Sequence, residues 1–513
     1  MLVKLGSSAL QGLEGLLVEV EVDSHKGLPG QSIVGLPDAA VRESRDRVRS
    51  AIVNSNLEFP PGYFTINLAP GHVRKEGPRY DLPIAIGILS SSEQVSLKLT
   101  PDTIFLGELS LNGEIRPISG VLPICFSARQ AGIRRVIVSR DNADEAALVP
   151  NLEVFPVNNL RETVDFLNGL TNIAPHSIDI QALFQSQPEY ELDFAEVKGQ
   201  QHVKRALEIA AAGSHNVLMV GPPGSGKTML AKRIHSILPP LSLEEALEIT
   251  KLYSVTGLLQ GKASLITRRP FRSPHHTTSD IGIIGGGRIP RPGEVSLAHL
   301  GVLFLDEFPE FEREVLEVLR QPLEDGQVTV SRALASITYP AEFMLMAAMN
   351  PCPCGNYTDP IRTCTCTPLK VQRYWGKLSG PLLDRIDIHV EVPRLKKEEL
   401  ASKQASESSK EIRERVIKAR KIQEARLAGT QIHSNARLTP RQIKEFCNLE
   451  SEAERILKAA ILQLKMSGRA YDRILKVSRT IADLEGSKNI KAPHIAEATQ
   501  YRSLDAKGGE YHV

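Results

Sequence analysis

The stretch that decides the fold is Asn216-Val-Leu-Met-Val-Gly-Pro-Pro-Gly-Ser-Gly-Lys-Thr-Met-Leu230. An apolar run, a glycine-rich turn and a helix-forming run follow one another, which predicts a buried strand, a loop and a helix. Within it, Gly221-x4-Gly226-Lys227-Thr228 has the spacing of a phosphate-binding loop, whose backbone N–H groups converge on phosphate oxygens. We therefore expect a nucleoside triphosphate site, with Lys227 at the β- and γ-phosphates and Thr228 on Mg²⁺. A glycine-rich turn that binds nothing is the alternative.

The loop residues expected to contact ATP are Gly221, Pro222, Pro223, Gly224, Ser225, Gly226, Lys227, Thr228 and Met229.

Length and composition limit the number of domains and the classes of function that the chain can have. With 513 residues, 42% of them apolar, the chain can form about two to four domains with sizeable cores. The formal net charge of +2 is nearly neutral, so binding of nucleic acid would need local basic patches. Neither a signal peptide nor an apolar run of about 18 residues is evident, which predicts a cytoplasmic protein without membrane contact.

The N-terminal region, residues 1–170, alternates strand-like and helix-like patterns and predicts a mixed α+β domain. Leu16–Val22 alternates apolar and acidic residues as a half-solvated strand does, and Asp38–Asn54 suits an amphipathic helix. Residues 171–192 show no sustained periodicity and are interpreted as a linker.

Three segments of this region, Glu76-Gly-Pro78, Gly107–Glu114 and Gly132–Val138, resemble the proteolytic domain of Lon proteases. That family uses a serine after the Gly-Pro pair and a later lysine, and the matching positions here hold Arg79 and Leu122. A dyad without nucleophile or base cannot form an acyl-enzyme. The resemblance implies a Lon-like (ribosomal S5 domain 2-like) fold without protease activity, used for assembly or DNA contact.

A basic surface on this domain, or alternatively an ordinary solvated helix face and loop, would involve Arg42, Arg45, Arg47, Arg49, Arg74, Lys75 and Arg79.

Two apolar runs beyond the phosphate loop end in polar residues. Gly301–Leu305 is followed by Asp306 and Glu307, the pattern in which the aspartate orients the Mg²⁺ shell and the glutamate polarises the attacking water. Phe343–Met349 is followed by Asn350. The position of Asp306 and Glu307, 79 residues after Lys227 in an α/β pattern, predicts that these two acids belong to the phosphate-loop site.

Together these motifs resemble AAA+ ATPases, and the resemblance implies further roles. Asn350 takes the position of sensor 1, which hydrogen-bonds the γ-phosphate or the water, and Val197 and Gly199 lie beside the adenine. Arg385 takes the position of the arginine finger that reaches the γ-phosphate of a neighbouring subunit, which implies a ring, in particular a hexamer. An intramolecular pair of Arg385 with Asp384 or Asp387 is the alternative.

The helical C-terminal region places Ser467-Gly-Arg469 where AAA+ lids present sensor 2, so Arg469 is the candidate and Arg473 the second choice.

Four cysteines are bunched as Cys352-Pro-Cys354 and Cys364-Thr-Cys366. Two such pairs can close four thiolates around Zn²⁺ in a tetrahedral site. Free or redox-active thiols and disulfides are the alternatives. His275 and His276 are candidates for further metal ligands, and polar loop residues without a metal are the simpler interpretation.

A Gly/Pro-rich segment carries Arg268, Arg269, Arg272, Arg288 and Arg291 against few acids. Exposed arginines of this kind suit contacts with the phosphate backbone of DNA. A following hairpin places Arg332 at its tip, where it resembles the DNA-gripping hairpins of replicative motors. We expect DNA contacts from Arg288, Arg291 and Arg332.

The predicted organisation is a Lon-like domain at 1–170, a linker at 171–192, an AAA+ ATPase core at 193–395 with the cysteine cluster at 352–366, a charged helical connector at 396–435 and a helical lid at 436–513.

Taken over its whole length, the chain resembles the magnesium-chelatase-like ComM/YifB family of bacteria. The resemblance implies a homohexameric, ATP-driven translocase of single-stranded and branched DNA that promotes branch migration in natural transformation, with recombination proteins as further partners. A magnesium-chelatase-type motor that remodels a protein partner, and a protein unfoldase with peptidase activity, are the competing interpretations.

Overall fold

The computed structural model describes residues 1–96, 98, 102–185, 190–259, 264–287, 290–332, 335–357, 359, 361–395, 406–430, 432–464 and 468–502. Two compact units divide the chain: Met1–Gln187 with Leu243–Thr267, and Pro188–Ser242 with Arg268–Val513. The assignment of Leu243–Thr267 to the first unit was not foreseen from the sequence. The predicted domain boundaries and the Lon-like assignment stay predictions.

The first unit is built on a seven-stranded mixed sheet in the order β3-β4-β2-β1-β5-β8-β9. The central strands β4, β2 and β1 are antiparallel neighbours, and the outer pairs are parallel. A separate short hairpin pairs β6 with β7.

The strands are β1 (Leu2–Gln11), β2 (Glu14–His25), β3 (Gly30–Val34), β4 (Tyr63–Ala69), β5 (Thr103–Leu106), β6 (Glu108–Leu109), β7 (Ile115–Arg116), β8 (Arg135–Ser139) and β9 (Glu153–Val157).

The helices of this unit are Ala39–Asn54, Asp81–Ser91, Val121–Gln130, Ala143–Ala146, Leu160–Leu167, Ile180–Gln185 and Leu243–Thr256, with 3₁₀ turns at Pro78–Tyr80 and Arg140–Asn142.

Local sequence explains the predicted helix after Asp38. The Asp38 carboxylate accepts a hydrogen bond from the Val41 backbone N–H at 2.8 Å, which caps the helix Ala39–Asn54. Val41, Val48 and Ile52 recur on one face and are fully buried in the core of the unit. The predicted amphipathic helix is therefore confirmed. A short helix, Ile180–Gln185, lies within the region interpreted as a linker.

The second unit contains a five-stranded sheet in the order β11-β14-β17-β10-β18, with every neighbouring pair parallel. Buried apolar side chains such as Met219, Phe304 and Met346 face its core. Two short hairpins, β12/β13 and β15/β16, stand apart from this sheet. Because the carboxyl ends of parallel strands meet at one edge, the residues that follow β10, β14 and β17 are neighbours.

Its strands are β10 (Val217–Val220), β11 (Phe271–Arg272), β12 (Gly285–Gly286), β13 (Arg291–Pro292), β14 (Val302–Leu305), β15 (Gln327–Arg332), β16 (Ala335–Pro340), β17 (Met344–Met349) and β18 (Ile388–Glu391).

Its helices are Gln201–Gly213, Lys227–Arg233, Asp280–Ile284, Glu294–Leu297, Arg313–Val318, Arg320–Asp325, Pro368–Trp375, Gly380–Leu383, Ser409–Leu427, Pro440–Phe446, Ser451–Leu464, Gly468–Leu484 and Ala492–Gln500, with 3₁₀ turns at Phe194–Glu196, Ile234–Ser236, Phe308–Glu310 and Asn435–Arg437.

One C-terminal helix, Pro440–Phe446, begins where its cap predicts. The Thr439 side chain accepts from the backbone of Gln442, whose side chain bonds back, and Pro440 occupies the first turn as expected. Residues 396–405 of the predicted connector, Ser467 and the tail from residue 503 lie outside the described residues. The structure is thus a mixed α/β fold with a parallel sheet and many helices, consistent with the AAA+-like class predicted. Within the described ranges, no helix is long and apolar enough to cross a bilayer.

Candidate nucleotide site

The phosphate loop joins β10 to the helix Lys227–Arg233, as the sequence predicted. Gly224 and Gly226 have φ angles of +76° and +93°, a backbone region that favours glycine. A Cβ atom at Gly221 would lie 2.1 Å from the Val392 carbonyl oxygen, so glycine is required there for space. The loop conformation therefore follows directly from its three glycines.

Lys227 is folded back into this loop. Its Nζ donates to the carbonyl oxygens of Gly221 at 2.7 Å and Pro222 at 3.1 Å, and to Asn350 Oδ1 at 3.2 Å. Burial of the ammonium group lowers the pKa of Lys227 to about 8. The lysine and the polar residue after β17 thus lie together, 123 positions apart in sequence.

The two predicted magnesium ligands also meet. Thr228 Oγ1 donates to Asp306 Oδ2 at 2.5 Å, and the backbone N–H of Glu307 donates to Asp306 Oδ1 at 2.9 Å. Glu307 has a φ angle of +53°, unusual for a residue with a side chain. A hydroxyl and a carboxylate are oxygen ligands of the type that Mg²⁺ takes in proteins, so these residues fit the ion.

These residues surround one cavity of about 420 Å³, the size of a small-molecule site, which we call the phosphate-loop cavity. It is lined by Pro223, Gly224, Gly226, Lys227, Thr228, Met229, Asp306, Glu307, Met349 and Asn350.

The segment expected beside the adenine lies outside this lining. The Val197 side chain is buried, and its carbonyl oxygen accepts from Lys204 Nζ at 2.5 Å and Ser406 Oγ at 2.7 Å. Gly199 has a φ angle of +59°. Next to it, Gln200 Nε2 donates to the Ser225 carbonyl oxygen at 2.8 Å, a link to the phosphate loop that the sequence did not reveal. Contact of Val197 and Gly199 with adenine stays a prediction.

A histidine contacts the expected hydrolytic glutamate. His276 Nδ1 lies 3.0 Å from Glu307 Oε2, while His275 Nδ1 lies 2.9 Å from Thr277 Oγ1. Among the described residues, the group of His, Cys, Asp and Glu side chains able to hold a metal is the four-cysteine cluster, so the structure does not support a metal site at the two histidines. The two adjacent histidines match no motif with a defined spacing, so the contact of His276 with Glu307 could not be predicted from the sequence.

Arg385 lies elsewhere. It ion-pairs with Glu324, and its Nη1 donates to the Pro381 carbonyl oxygen at 2.7 Å. The Arg385 guanidinium lowers the pKa of Glu324 below its usual value. The intramolecular partner is therefore Glu324, not Asp384 or Asp387 as the alternative interpretation had it.

A second cavity, of about 400 Å³, contains Arg385 together with both sensor 2 candidates; we call it the arginine cavity. It is lined by Ser214, Asn216, Leu323, Glu324, Phe343, Arg385, Asp387, Ala436, Arg437, Leu438, Pro440, Arg469, Asp472, Arg473 and Lys476.

Arg473 and Arg469 differ in their surroundings within it. Arg473 Nη1 donates to Asp387 Oδ1 at 2.6 Å, and Asp387 also accepts from the Asn216 backbone N–H at 3.2 Å. Burial raises the pKa of Asp387, but Arg473 and His215 outweigh it and hold this pKa well below the usual range. The Arg469 side chain is exposed. Neither arginine lines the phosphate-loop cavity, so the structure does not bring the sensor 2 candidates to Lys227.

Three magnesium-chelatase family descriptions match this chain. The family description "Magnesium chelatase, subunit ChlI" matches residues 193–400, "Subunit ChlI of Mg-chelatase" matches 20–142, and "Magnesium chelatase, subunit ChlI C-terminal" matches 406–502. Competence protein ComM of Haemophilus influenzae is 45% identical over 503 residues, 97% of each chain. Protein YifB of Escherichia coli is 46% identical over 502 residues, 97% of this chain and 96% of the relative. The chain belongs to the magnesium-chelatase-like ComM/YifB family.

Membership of the ComM/YifB family implies an AAA+ ATPase. A weaker similarity links the chain to Lon protease 2 of Bacillus subtilis, 26% identical over 186 residues, about a third of each protein. At the two dyad positions, Leu122 is fully buried, and the Arg79 carbonyl oxygen accepts from the Gly107 N–H at 3.2 Å.

Among the residues considered for a basic surface on the first unit of this ComM/YifB chain, Arg42, Arg45 and Arg49 are exposed, whereas others are buried or paired. Lys75 is fully buried against the Pro70 carbonyl oxygen. Arg47 Nε pairs with Asp81 at 2.8 Å, and Arg74 pairs with a glutamate two positions on at 3.3 Å. Lys75 and Arg47 are therefore used within the fold, and the basic-surface interpretation is wrong for these two residues.

The four clustered cysteines of the ComM/YifB chain converge. Their Sγ atoms lie within 4.8 Å of one another, and the distances among Cys352, Cys354 and Cys364 are 3.4, 3.6 and 3.7 Å. Four thiolates at about 2.3 Å from Zn²⁺ would be about 3.8 Å apart, so the cluster fits a tetrahedral zinc site. Backbone N–H groups, first that of Asn356, lower the pKa of Cys354 to about 5, whereas burial raises the pKa of Cys352 to about 12 and also raises that of Cys364. All six cysteines are described and none forms a disulfide.

The expected DNA contacts fall on the two hairpins of the second unit. Arg291 and Arg332 are both exposed, and Arg288 lies outside the described residues. The hairpins contact each other, since Tyr339 Oη donates to the Pro290 carbonyl oxygen at 2.8 Å. A Cβ atom at Gly286 would lie 3.1 Å from Arg332 Nη2, so Arg332 lies over the β12/β13 hairpin. The two arginines therefore belong to one surface.

Three other arginines of this segment are engaged internally. Arg272 forms two hydrogen bonds of 2.7 Å with the Glu294 carboxylate. Arg269 donates to the carbonyl oxygens of Pro239 and Leu300, both at 2.8 Å. Arg268 stacks on the ring of Tyr190 at 4.8 Å. The interpretation of all five arginines as exposed DNA contacts is therefore wrong for these three.

Proposed function

We propose that the chain is a homohexameric AAA+ ATPase that translocates on single-stranded and branched DNA and promotes branch migration during integration of incoming DNA. The observation that carries this proposal is the division of the site: Lys227, Thr228, Asp306, Glu307 and Asn350 line the phosphate-loop cavity, whereas the predicted arginines line another. Similarity to a protein named as a competence protein supports the link to transformation. A cytoplasmic location stays a prediction.

Each residue of the phosphate-loop cavity has a role in this proposal. ATP and Mg²⁺, when bound, supply the phosphoanhydride bond and the charge that activates it. Lys227 exchanges its loop carbonyl partners for phosphate oxygens, and Thr228 and Asp306 hold the magnesium ion. Glu307 orients the attacking water and receives its proton, while Asn350 donates its amide to the γ-phosphate or the water.

The arginine cavity supplies the remaining charge from a neighbouring subunit. Arg385 and Arg469 lie on a different cavity from Lys227, so in one chain they do not serve the same nucleotide. In a ring, each subunit can present these arginines to the nucleotide of the next subunit. An active site completed in this way requires assembly and explains why we propose a hexamer.

DNA is the proposed load because Arg291 and Arg332 are exposed on one surface made by two hairpins. Guanidinium groups on exposed hairpins bind phosphates without reading base sequence. We also propose recombination proteins as partners, because the similarity to a competence protein supports a role in transformation.

We also propose that the four cysteines hold a structural Zn²⁺, because the separations of their Sγ atoms match those of a tetrahedral thiolate site.

Hydrolysis and strand-displacement assays test the DNA motor directly. We expect ATP hydrolysis to rise with single-stranded, forked and three-stranded DNA, and strands to be displaced only by a hydrolysing protein. Glu307→Gln is the control, since it should bind ATP and DNA but displace nothing. Hydrolysis that is identical with and without DNA at every salt concentration would contradict the proposal.

The hairpin surface has its own test. Arg291→Ala and Arg332→Ala should each weaken DNA binding in a salt-dependent way, reducing the slope of log affinity against log salt by about one per phosphate contact. Arg272→Ala is the matched control, because Arg272 is paired internally with Glu294. A slope that changes as much for Arg272 as for Arg332 would remove the hairpins from the DNA interface.

A magnesium-chelatase-type motor that remodels a protein partner is the second candidate, favoured by the match of residues 193–400 to the chelatase subunit. It predicts hydrolysis that responds to a protein partner and not to DNA. Peptidase activity is not part of either proposal, since Arg79 and Leu122 offer no nucleophile or base. Casein should stay intact with the purified protein.

A further inference from the structure

The loop that carries the four cysteines touches the phosphate loop. Gly355, which follows Cys354, has a φ angle of +81° and faces Pro223. A Cβ atom at Gly355 would lie 2.5 Å from Pro223 Cδ and 2.6 Å from its Cγ. Any side chain at this position would push the two loops apart, so glycine permits the contact.

Arg394 makes a second connection between the same two loops. Its Nη2 donates to the Pro223 carbonyl oxygen at 3.4 Å and pairs with Asp359 Oδ2 at 2.9 Å. The Asp359 side chain is fully buried, and a buried carboxylate needs its cation. Because Asp359 lies between the two cysteine pairs, Arg394 fastens the cysteine loop to the phosphate loop.

The cysteine loop is also joined to the rest of the site. It begins directly after Asn350, whose amide contacts Lys227. Trp375 Nε1 donates to the Pro351 carbonyl oxygen at 3.0 Å and so fixes the first residue of the loop. The start of the loop is therefore anchored by the fold, and Gly355 and Asp359 lie between the two cysteine pairs.

We propose that Zn²⁺ at the four cysteines braces the phosphate loop, so that the affinity of the chain for nucleotide depends on the metal. The inference rests on the proposed ATP site and adds a regulatory metal to it. Metal binding closes the loop and fixes Gly355 and Asp359 against Pro223 and Arg394. Loss of the metal frees the loop, and the phosphate loop loses both contacts that orient Pro223.

Three variants of the full-length protein test the brace. Zinc per chain is measured by elemental mass spectrometry, and nucleotide affinity by a fluorescent ATP analogue with Mg²⁺. Cys364→Ser should lose zinc and bind the analogue about tenfold more weakly or worse, in line with the loss of an interaction that positions a site. Gly355→Ala should keep zinc but bind the analogue about tenfold more weakly, because its Cβ overpacks against Pro223. Cys447→Ser is the matched control, since this cysteine is outside the cluster, and should change neither quantity.

The outcomes separate the brace from the ATP site. If Cys364→Ser loses zinc yet binds the analogue like the wild type, the brace is wrong and the ATP site stands. If the wild type holds no zinc but binds the analogue, the proposed zinc site is wrong. If the wild type binds no nucleotide, the proposed function itself fails. If circular dichroism shows that Cys364→Ser is unfolded, the wild type is used instead. Its zinc is removed with a zinc-selective chelator and Mg²⁺ is restored. If this protein is folded and its affinity for the analogue is unchanged, the brace is wrong.

Discussion

The phosphate-loop cavity and the arginine cavity differ in the partners of their charged side chains. In the first, one lysine is buried among carbonyl oxygens, and burial lowers its pKa to about 8 although Asp306 acts in the opposite direction. In the second, arginines surround carboxylates, and Asp387 has a pKa held below its usual range by Arg473 and His215, against the effect of burial. The first cavity holds a cation that a phosphate group can compensate, whereas in the second Arg385 is already paired with Glu324 and Arg473 with Asp387.

The largest effect is expected from Arg385→Ala, which tests whether the arginine cavity serves a neighbouring chain. Hydrolysis should slow by about 10³-fold with nucleotide binding unchanged, as for arginines supplied in trans. Mixing Arg385→Ala with Lys227→Ala subunits should restore part of the activity, because some interfaces then contain an intact lysine and an intact arginine. Single-turnover hydrolysis and analogue binding measure both parts. No recovery in any mixture would place Arg385 in its own subunit.

Arg473→Ala should act on stability. It leaves the buried Asp387 without its closest cation, which costs about 3 kcal/mol of the free energy of unfolding. Since the pKa of Asp387 is lowered in the folded state, this contribution is present at neutral pH and is lost only as the pH falls below about 4. Denaturant unfolding of wild type and variant at both pH values measures it. Equal unfolding midpoints at neutral pH would contradict the pairing.

The lowered pKa of Lys227 predicts a pH dependence of binding. Bound phosphates should restore the lysine to its charged form, so the free protein takes up a proton on binding above about pH 8. Affinity for the ATP analogue should therefore be level below that pH and fall by up to about tenfold per unit above it. Calorimetry in buffers of different ionisation enthalpy measures the proton directly. Whatever affinity Lys227→Arg retains should not vary with pH in this way, because arginine stays charged.

Arg469→Ala should have the smallest effect on folding, about 0.5 kcal/mol or less, because the side chain is exposed. If it nevertheless slows hydrolysis, the arginine cavity contributes two charges to the reaction. Thermal unfolding measures the effect on stability, and a hydrolysis assay measures the effect on the reaction. A variant as unstable as Arg473→Ala would show that Arg469 is also part of the internal pairing.

Sequence predicted the phosphate-loop cavity well because strands carry their own signal. Apolar runs that end in Asp306 and Asn350 mark the carboxyl ends of strands, and parallel pairing places such ends at one edge. The coarse α/β class followed from the same runs. The pairings of Arg272 with Glu294 and of Arg473 with Asp387 could not be predicted, since each joins residues with no shared periodicity.

The contacts between loops could not be predicted from the sequence for a related reason. The approach of Gly355 to Pro223 depends on positive φ and on the absence of a side chain, which many glycines in this chain share. The contact of His276 with Glu307 depends on where β11 lies in the sheet, next to β14. Neither signal can be separated from ordinary loop composition in a single sequence.

The parallel sheet β11-β14-β17-β10-β18 also sets which changes in chain length the protein can accept. One residue added inside β14 or β17 would shift Asp306 or Asn350 by about 3.3 Å along the strand and turn its side chain to the other face. Residues added at the amino ends of these strands leave the carboxyl edge in place. Changes in chain length are therefore least tolerated between the start of each of these strands and the polar residue that follows it.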